Sequence, residues 1–152
     1  MRLALFAATA ALVLIAAAPP ARDRLLQVMH ERHEGMEEIG KANKALRREL
    51  TSSSPNATAV RSSAATIANL AGKSSHWFPR GTGPELGKTG AKPEIWQKPQ
   101  DFATKLRGFQ LAAKAFNAAA ASGDMNAAKA RFADLGKSCQ SCHDTYRSDM
   151  HH

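Results

Sequence analysis

Apolar residues recur at alternating steps of three and four along four stretches of the chain, the spacing of the buried face of a helix in a bundle. The first predicted helix runs from Arg22 to Leu50, with Arg32 and Asn43 as polar exceptions on that face. Its apolar positions are Leu25, Met29, Met36, Ile39, Leu46 and Leu50.

The second predicted helix begins with Ser54 as N-cap and Pro55 as first helical residue. Its face carries Val60, Ala64, Ile67, Ala71 and Ser74. Pro99 opens the third helix, whose face carries Phe102, Leu106, Phe109, Ala113, Phe116 and Ala120. Gly123 ends the third helix and Asp124 caps the fourth. The fourth helix carries Met125, Ala128, Phe132, Leu135, Cys139, Cys142 and Tyr146 on its face.

Residues 75–98 break the helical pattern with prolines and glycines, and both tryptophans of the chain, Trp77 and Trp96, lie there. Long segments without secondary structure are uncommon in compact domains and are usually functional. Four helices with two short connections and one long one predict an all-α, up-down-up-down antiparallel four-helix bundle with a long loop between helices two and three.

The first residues have the pattern of an export signal. Arg2 supplies an early positive charge, the run from Leu3 to Ala18 is apolar, and small residues follow it. This pattern is typical of a cleaved secretory signal peptide, and the run is shorter than the roughly 20 residues of a membrane-spanning helix. We therefore predict a signal peptide over residues 1–21, a single domain over 22–152, and no stable membrane association after cleavage.

The stretch Cys139-Gln140-Ser141-Cys142-His143 carries the candidate chemistry. Two cysteines three residues apart with histidine next is the spacing for covalent attachment of haem c, in which each thiol bonds one vinyl group and the imidazole binds the iron axially. A redox dithiol expects a βαβ context, and a zinc site needs about four ligands, whereas the chain has 2 cysteines. We predict one covalently bound haem c, held by Cys139, Cys142 and His143.

The segment from Gly136 to Arg147 resembles the class II cytochromes c, the cytochrome c-prime superfamily. In that family the haem motif lies at the C-terminal end of a four-helix bundle, and an arginine four residues after the histidine lies beside the haem. Arg147 matches that position. The resemblance also implies a bacterial periplasmic protein, because haem is ligated outside the inner membrane, and it implies association into homodimers through the first two helices.

The antiparallel topology brings the C-terminal end of the fourth helix level with the start of the first, around Leu25 to Met29. Met29 and Met36 share one face and lie about 10.5 Å apart along a helix, so the topology selects Met29 as the sixth iron ligand. His76 is the more serious competing ligand because it lies at the haem end. His30 and His33 lie off the buried face, and we expect them to be solvated.

The paired methionines, with Phe78-Pro79 and Ile95-Trp96, are similar to the low-spin branch of the superfamily, in which a methionine of the first helix is the sixth ligand. The predicted function is therefore a one-electron carrier with a His/Met-ligated low-spin haem. The alternative is a five-coordinate, high-spin cytochrome c-prime that binds nitric oxide or carbon monoxide. We identify no acid–base group placed over an open haem face, so we predict no enzyme activity.

The net charge of +8 has two interpretations. Nucleic acid is disfavoured as a partner because no arginine-rich tract interleaved with aromatic residues is present. A positive field would instead steer an acidic redox protein towards the chain, and the alternative is that the charge serves solubility alone.

Overall fold

The computed structural model describes residues 20–148, so most of the predicted signal peptide and the last four residues of the predicted domain lie outside it. The helices are α1 (Ala21–Thr51), α2 (Ala57–Lys73), α3 (Glu94–Gln97), α4 (Pro99–Ser122) and α5 (Met125–Tyr146), with a short 3-10 turn at Ser74–His76. The four long helices pack α1 on α2, α2 on α4 and α4 on α5. The predicted four-helix bundle is confirmed.

The corner between α4 and α5 is built as predicted. Gly123 has a positive φ of 81°, which glycine adopts without strain, and it ends α4. The carboxylate of Asp124 accepts hydrogen bonds from the backbone N–H groups of Asn126 (2.9 Å) and Ala127 (3.0 Å). These bonds satisfy two of the free donors at the start of α5.

The predicted start of α2 is wrong by two residues. Asn56 is the N-cap, because its side-chain oxygen accepts from Ala59 N at 3.0 Å. The carboxylate of Glu49 also accepts from Asn56 N at 3.1 Å and holds this residue beside the end of α1. Ser54 and Pro55 therefore belong to the connection that precedes the helix.

The predicted apolar faces meet in the core of the bundle. Its largest fully buried side chains include Phe116, Leu46, Ile67 and Leu135, one from each long helix. Burial of such a side chain contributes about 1.5–3 kcal/mol. None of the helices within residues 20–148 has the length and apolar character that crossing a bilayer requires.

The fourth side of the bundle is open. Topology makes α1 and α5 neighbours, yet their backbones make almost no close approach, unlike the other three adjacent pairs. A groove of about 520 Å³ lies between them, lined by Asn43, Arg47, Arg48 and Thr51 on α1 and by Phe132, Ala133 and Gly136 on α5. We call this open side the α1–α5 cleft.

α1 extends past the ends of its neighbours. Gly35 lies directly against the indole of Trp77, which follows the end of α2. Residues before Gly35 lie against the long loop, with Leu25 beside Gly81 and Met29 beside Gly87. The loop thus covers the first half of α1.

The far part of the same loop is fixed to the end of α5. Lys92 N donates to Tyr146 O at 2.9 Å, and Ser148 N donates to Gly90 O at 2.9 Å. The loop therefore contacts both α1 and the C-terminal end of α5.

Candidate cofactor site

Cys139 and Cys142 lie three residues apart on α5, half-buried and not joined by a disulfide. Cys139 packs against the main core cluster, which includes Ile39 of α1. Cys142 packs against a second cluster formed by Ile95, Phe102 and Tyr146. Because a helix places residues three apart on the same face, both sulfur atoms face the interior of the bundle.

Burial raises the pKa of both thiols, and it is the largest influence on each. A hydrogen bond with Ser138 acts in the opposite direction on Cys139, and the charge of Lys105 does so on Cys142. Raised pKa values keep the thiols protonated at neutral pH. A reactive dithiol or a metal-binding thiolate needs the opposite shift, so this pair is poorly suited to either role.

His143 follows Cys142 in the last turn of α5 and is exposed at the surface. Partial desolvation lowers the pKa of its imidazole, the positive charge of Arg147 lowers it further, and Asp144 acts in the opposite direction. The ring is therefore neutral at pH 7, the state in which imidazole binds a metal.

Arg147 is the C-cap of α5, and its backbone N–H donates to His143 O at 3.0 Å. It also pairs with Ala91 of the long loop in an isolated antiparallel bridge. The structure thus brings together Cys139, Cys142, His143 and Arg147 at one end of α5.

The register of α1 against α5 favours Met36 over Met29 at the level of this group. In the groove of the α1–α5 cleft, Asn43 and Arg47 of α1 lie opposite Gly136 of α5. His143 lies seven residues beyond Gly136, which is about 10.5 Å along the helix. Because α1 and α5 are antiparallel, the residue of α1 at the level of His143 lies seven residues before Asn43, which is Met36.

Met36 packs against the core cluster that Cys139 also contacts. Met29 lies two turns beyond it, and its terminal methyl group lies beside Gly87 of the loop. The selection of Met29 assumed that α1 and α5 end at the same level. The extension of α1 past α5 removes the geometric basis for that assignment.

The three histidines weighed as competing ligands are all exposed. His30 and His33 lie on the outer face of α1, with carboxylate oxygens of Glu34 at 3.8 Å and Glu37 at 3.4 Å from their imidazoles. This agrees with the expectation that these two are solvated. His76 lies in the turn that follows α2.

Two residues with specific polar contacts were not predicted as part of the site. Arg32 was noted only as a polar exception, yet its side chain is buried and bonded to the long loop. Tyr146 was predicted as an apolar core residue, yet its hydroxyl donates to Asp101 Oδ2 at 2.6 Å. The signal for Arg32 was its charge at a core-facing position, which requires buried partners.

The cleft fits a flat, largely apolar cofactor such as haem. One wall carries two protonated, half-buried thiols at the spacing that bridges two vinyl groups, with a neutral imidazole in the next position. Met36 of α1 and Phe132 and Leu135 of α5 belong to the same core cluster as Cys139. This donor set matches covalent attachment with one axial nitrogen ligand.

A family model described as Cytochrome C' matches residues 27–147. Among curated relatives, cytochrome c-554 from Cereibacter sphaeroides is 44% identical over 71 residues, 46% of each chain. Cytochrome c' from Allochromatium vinosum is 38% identical over 97 residues, 61% of this chain and 62% of that one. The chain thus aligns with about half to two thirds of the length of these relatives.

Solved structures are similar over more of their length. Cytochrome c' from Thermochromatium tepidum has 33% identity and a TM-score of 0.76, covering 82% of this chain and 97% of that chain. A cytochrome c' described as having ligand-controlled dimer dissociation has 30% identity and a TM-score of 0.75, covering 87% and 100%. A nitric oxide complex of a mutant of cytochrome c prime from Alcaligenes xylosoxidans has 25% identity and a TM-score of 0.75, covering 83% and 97%.

These matches confirm haem c as the cofactor. They contradict the predicted function, a one-electron carrier with a low-spin, His/Met-ligated haem, because the family and its structural neighbours are cytochromes c'. The resemblance to the low-spin branch is likewise unsupported. The alternative, a high-spin haem that binds a diatomic gas, agrees better with the matches.

Proposed function

Because the chain belongs to the cytochrome c' family, we propose that it is a periplasmic haem protein that binds nitric oxide or carbon monoxide at a five-coordinate iron. The observation that carries this proposal is the open α1–α5 cleft beside two thiols and an imidazole. We propose a binding protein rather than an enzyme. An acidic redox partner stays a prediction.

In this proposal Cys139 and Cys142 would hold the haem through two thioether bonds, each formed by addition of a thiol S–H across one vinyl group. His143 would supply a nitrogen ligand to the iron. Desolvation, and after it the positive charge of Arg147, lower the pKa of that imidazole and so favour its neutral form. When bound, the haem iron supplies an open coordination position and the ability to change by one electron.

The apolar cluster that Cys139 packs against supports a neutral diatomic ligand. Met36, Phe132 and Leu135 are apolar and pack in one cluster with Cys139. A charged ligand would lose hydration among such side chains, whereas an uncharged gas loses little. The related nitric oxide complex supports the same class of ligand.

Covalent attachment is tested on the purified protein by denaturing electrophoresis with a stain for haem peroxidase activity. We expect the stained haem to migrate with the wild-type chain and to be lost from the double variant Cys139→Ala/Cys142→Ala. Ser141→Ala, between the two cysteines, is the matched control and should retain haem. Extraction of haem from the wild type by acid acetone would refute the attachment.

The charges of α1 support association of two copies of the chain. Four exposed glutamates lie between residues 31 and 38, and four exposed lysines and arginines lie between residues 41 and 48. An antiparallel pair of α1 helices centred near Gly40 would set each acidic half against a basic half. Gly40 adds no side chain at the crossing, and nothing lies within 4 Å of a Cβ built there.

Sedimentation velocity tests this association. We expect a dimer at low ionic strength and a shift towards monomer in about 1 M salt, where the Debye length falls to about 3 Å. The same measurement with carbon monoxide asks whether a ligand alters the association, as in the related cytochrome c' whose dimer dissociation is ligand-controlled. A monomer at every protein concentration and at low salt would overturn the association.

A further inference from the structure

Arg32 is a buried cation whose hydrogen-bond partners are all neutral. It lies on the core-facing side of α1 and is 5% exposed. Among the described residues it has no carboxylate within salt-bridge distance, and desolvation lowers the pKa of its guanidinium. A buried charge is tolerated only where its hydrogen bonds are satisfied, so the partners of Arg32 determine what it does.

All of these partners belong to one part of the long loop, residues 77–89, which we call the covering segment. One terminal nitrogen of Arg32 donates to Trp77 O at 3.0 Å and to Thr82 Oγ1 at 3.2 Å. The other donates to Thr82 O at 2.8 Å and to Thr89 Oγ1 at 2.9 Å. The side chain of Arg32 therefore forms hydrogen bonds with both ends and the middle of the covering segment.

The covering segment lies next to the cofactor site. Arg32 precedes Met36 by one helical turn, about 6 Å, and Met36 is level with His143 across the cleft. Directly after the covering segment, the loop is bonded to the end of α5 at Tyr146 and Ser148. The loop therefore crosses from α1 to α5 at the end of the cleft, where the two helices make almost no close approach.

An aromatic chain links Arg32 to the surroundings of Cys142. The guanidinium lies 5.1 Å from the centre of the Phe78 ring, a distance for cation–π attraction. Phe78 contacts Phe102 edge-to-face at 4.8 Å, and Phe102 contacts Tyr146 at 5.2 Å. Cys142 packs against this same cluster, so the covering segment and the attachment cysteine share one set of aromatic neighbours.

We propose that Arg32 is a positioning residue that holds the covering segment across the end of the α1–α5 cleft and thereby limits the rate at which a gas reaches the iron. This inference rests on the proposed function, since it concerns entry of the same ligand. Arg32 bonds the loop and none of the residues assigned to hold the haem, so the equilibrium spin state of the haem does not depend on it.

The test uses the purified haem-containing protein and two rates. The first is association of carbon monoxide with the ferrous protein in a stopped-flow instrument. The second is cleavage by trypsin after Arg80 and Lys88, two exposed residues of the covering segment. Arg32→Met keeps an unbranched apolar stem but removes the charge and the donors, and Arg32→Lys keeps the charge but not the forked geometry.

We expect Arg32→Met to raise both rates at least about tenfold, because losing charged hydrogen bonds shifts an opening equilibrium by that factor or more. Arg32→Lys should lie between this variant and the wild type. The ferrous spectrum should stay unchanged in both. Arg107→Met, on the opposite α2–α4 face, is the matched control and should alter neither rate.

Faster cleavage with unchanged carbon monoxide association would overturn the inference, since the segment would then not control entry. Faster association without faster cleavage would also overturn it, as would no change in either rate. If Arg32→Met does not accumulate, the test uses Thr89→Val, which removes one hydrogen-bond acceptor of Arg32 from the loop. This variant should raise both rates to a smaller extent. No change in either rate would overturn the inference. Absence of carbon monoxide binding by the wild type refutes the proposed function and this inference together, whereas binding at equal rates in wild type and Arg32→Met refutes this inference alone.

Discussion

At the scale of single residues, Tyr146 has a role that its place on an apolar helix face did not indicate. Its ring is 2% exposed, and its hydroxyl is bonded to the carboxylate of Asp101. Burial raises the pKa of this phenol to about 12, and the hydrogen bond to Asp101 adds to the shift. Both effects disfavour the phenolate, so the neutral hydroxyl contributes to the stability of the folded state.

We predict that Tyr146 titrates near pH 12 in the folded protein, since its pKa is raised to about 12. The phenol of the unfolded chain titrates near pH 10. Between these values the folded state retains a proton that the unfolded state has lost, so this part of the stability is present below about pH 10 and is lost as the pH rises towards 12.

The chain has 1 tyrosine, so the ultraviolet absorbance of tyrosinate reports this residue directly. Denaturation of wild type and Tyr146→Phe across the same pH range is the companion measurement, and the stability difference between them should shrink above pH 10. A midpoint near 10 in the native protein would contradict the buried hydrogen bond.

A site residue could be predicted where its role depends on spacing within one helix, and not where it depends on how two helices are aligned. Cys139, Cys142 and His143 were identified because their spacing is itself the chemical requirement, although their attachment to haem stays a proposal. Met29 was selected over Met36 from an assumed alignment of helix ends. That alignment depends on how far α1 extends past α5, and no periodicity within either helix encodes it.

At the scale of secondary-structure elements, the close approach of α1 to the start of the long loop depends on Gly35. A Cβ built on this residue would overlap the indole of Trp77. Trp77 is buried in the main core cluster, so the ring cannot move aside without disturbing that packing. Gly40, in the same helix, has nothing within 4 Å of the same position.

We predict opposite effects of alanine at these two glycines. Gly35→Ala should lower the free energy of unfolding by about 1–3 kcal/mol, the usual cost of overpacking a core. Under conditions where the protein is monomeric, Gly40→Ala should raise it by about 0.5–1 kcal/mol, since alanine is the better helix former and meets no neighbour within the chain. Chemical denaturation of both variants tests this, and equal effects at the two positions would contradict the packing of Trp77 on α1.

The elements themselves were largely predictable. The heptad faces of all four long helices form the observed core, because burial of apolar residues decides which side of each helix faces inward. Asn56 was missed as the cap of α2, since the choice between it and Ser54 depends on the contact with Glu49 of another helix. The short helix α3 was not predicted, because it lies in a segment whose prolines and glycines interrupt any helical periodicity.

At the scale of the whole molecule, the bundle has three closed sides and one open side, and Cys139 and Cys142 lie on α5, one of the two helices that border the open side. The heptad pattern predicts that α1 and α5 are neighbours but gives no reason for them to stay apart. A haem held covalently on α5 would fill the space between these two helices and supply the packing that they lack. The long loop then covers one end of this cleft, with Arg32 as its attachment to α1.

The most direct test of this account is the optical spectrum of the purified protein in the ferric and ferrous states, with and without carbon monoxide. We predict a high-spin, five-coordinate haem in both states that binds carbon monoxide when reduced. Met29→Leu and Met36→Leu, which conserve volume and apolarity, should leave the spectra of the ligand-free protein unchanged. A low-spin spectrum with sulfur ligation in the wild type, lost in either methionine variant, would contradict the account.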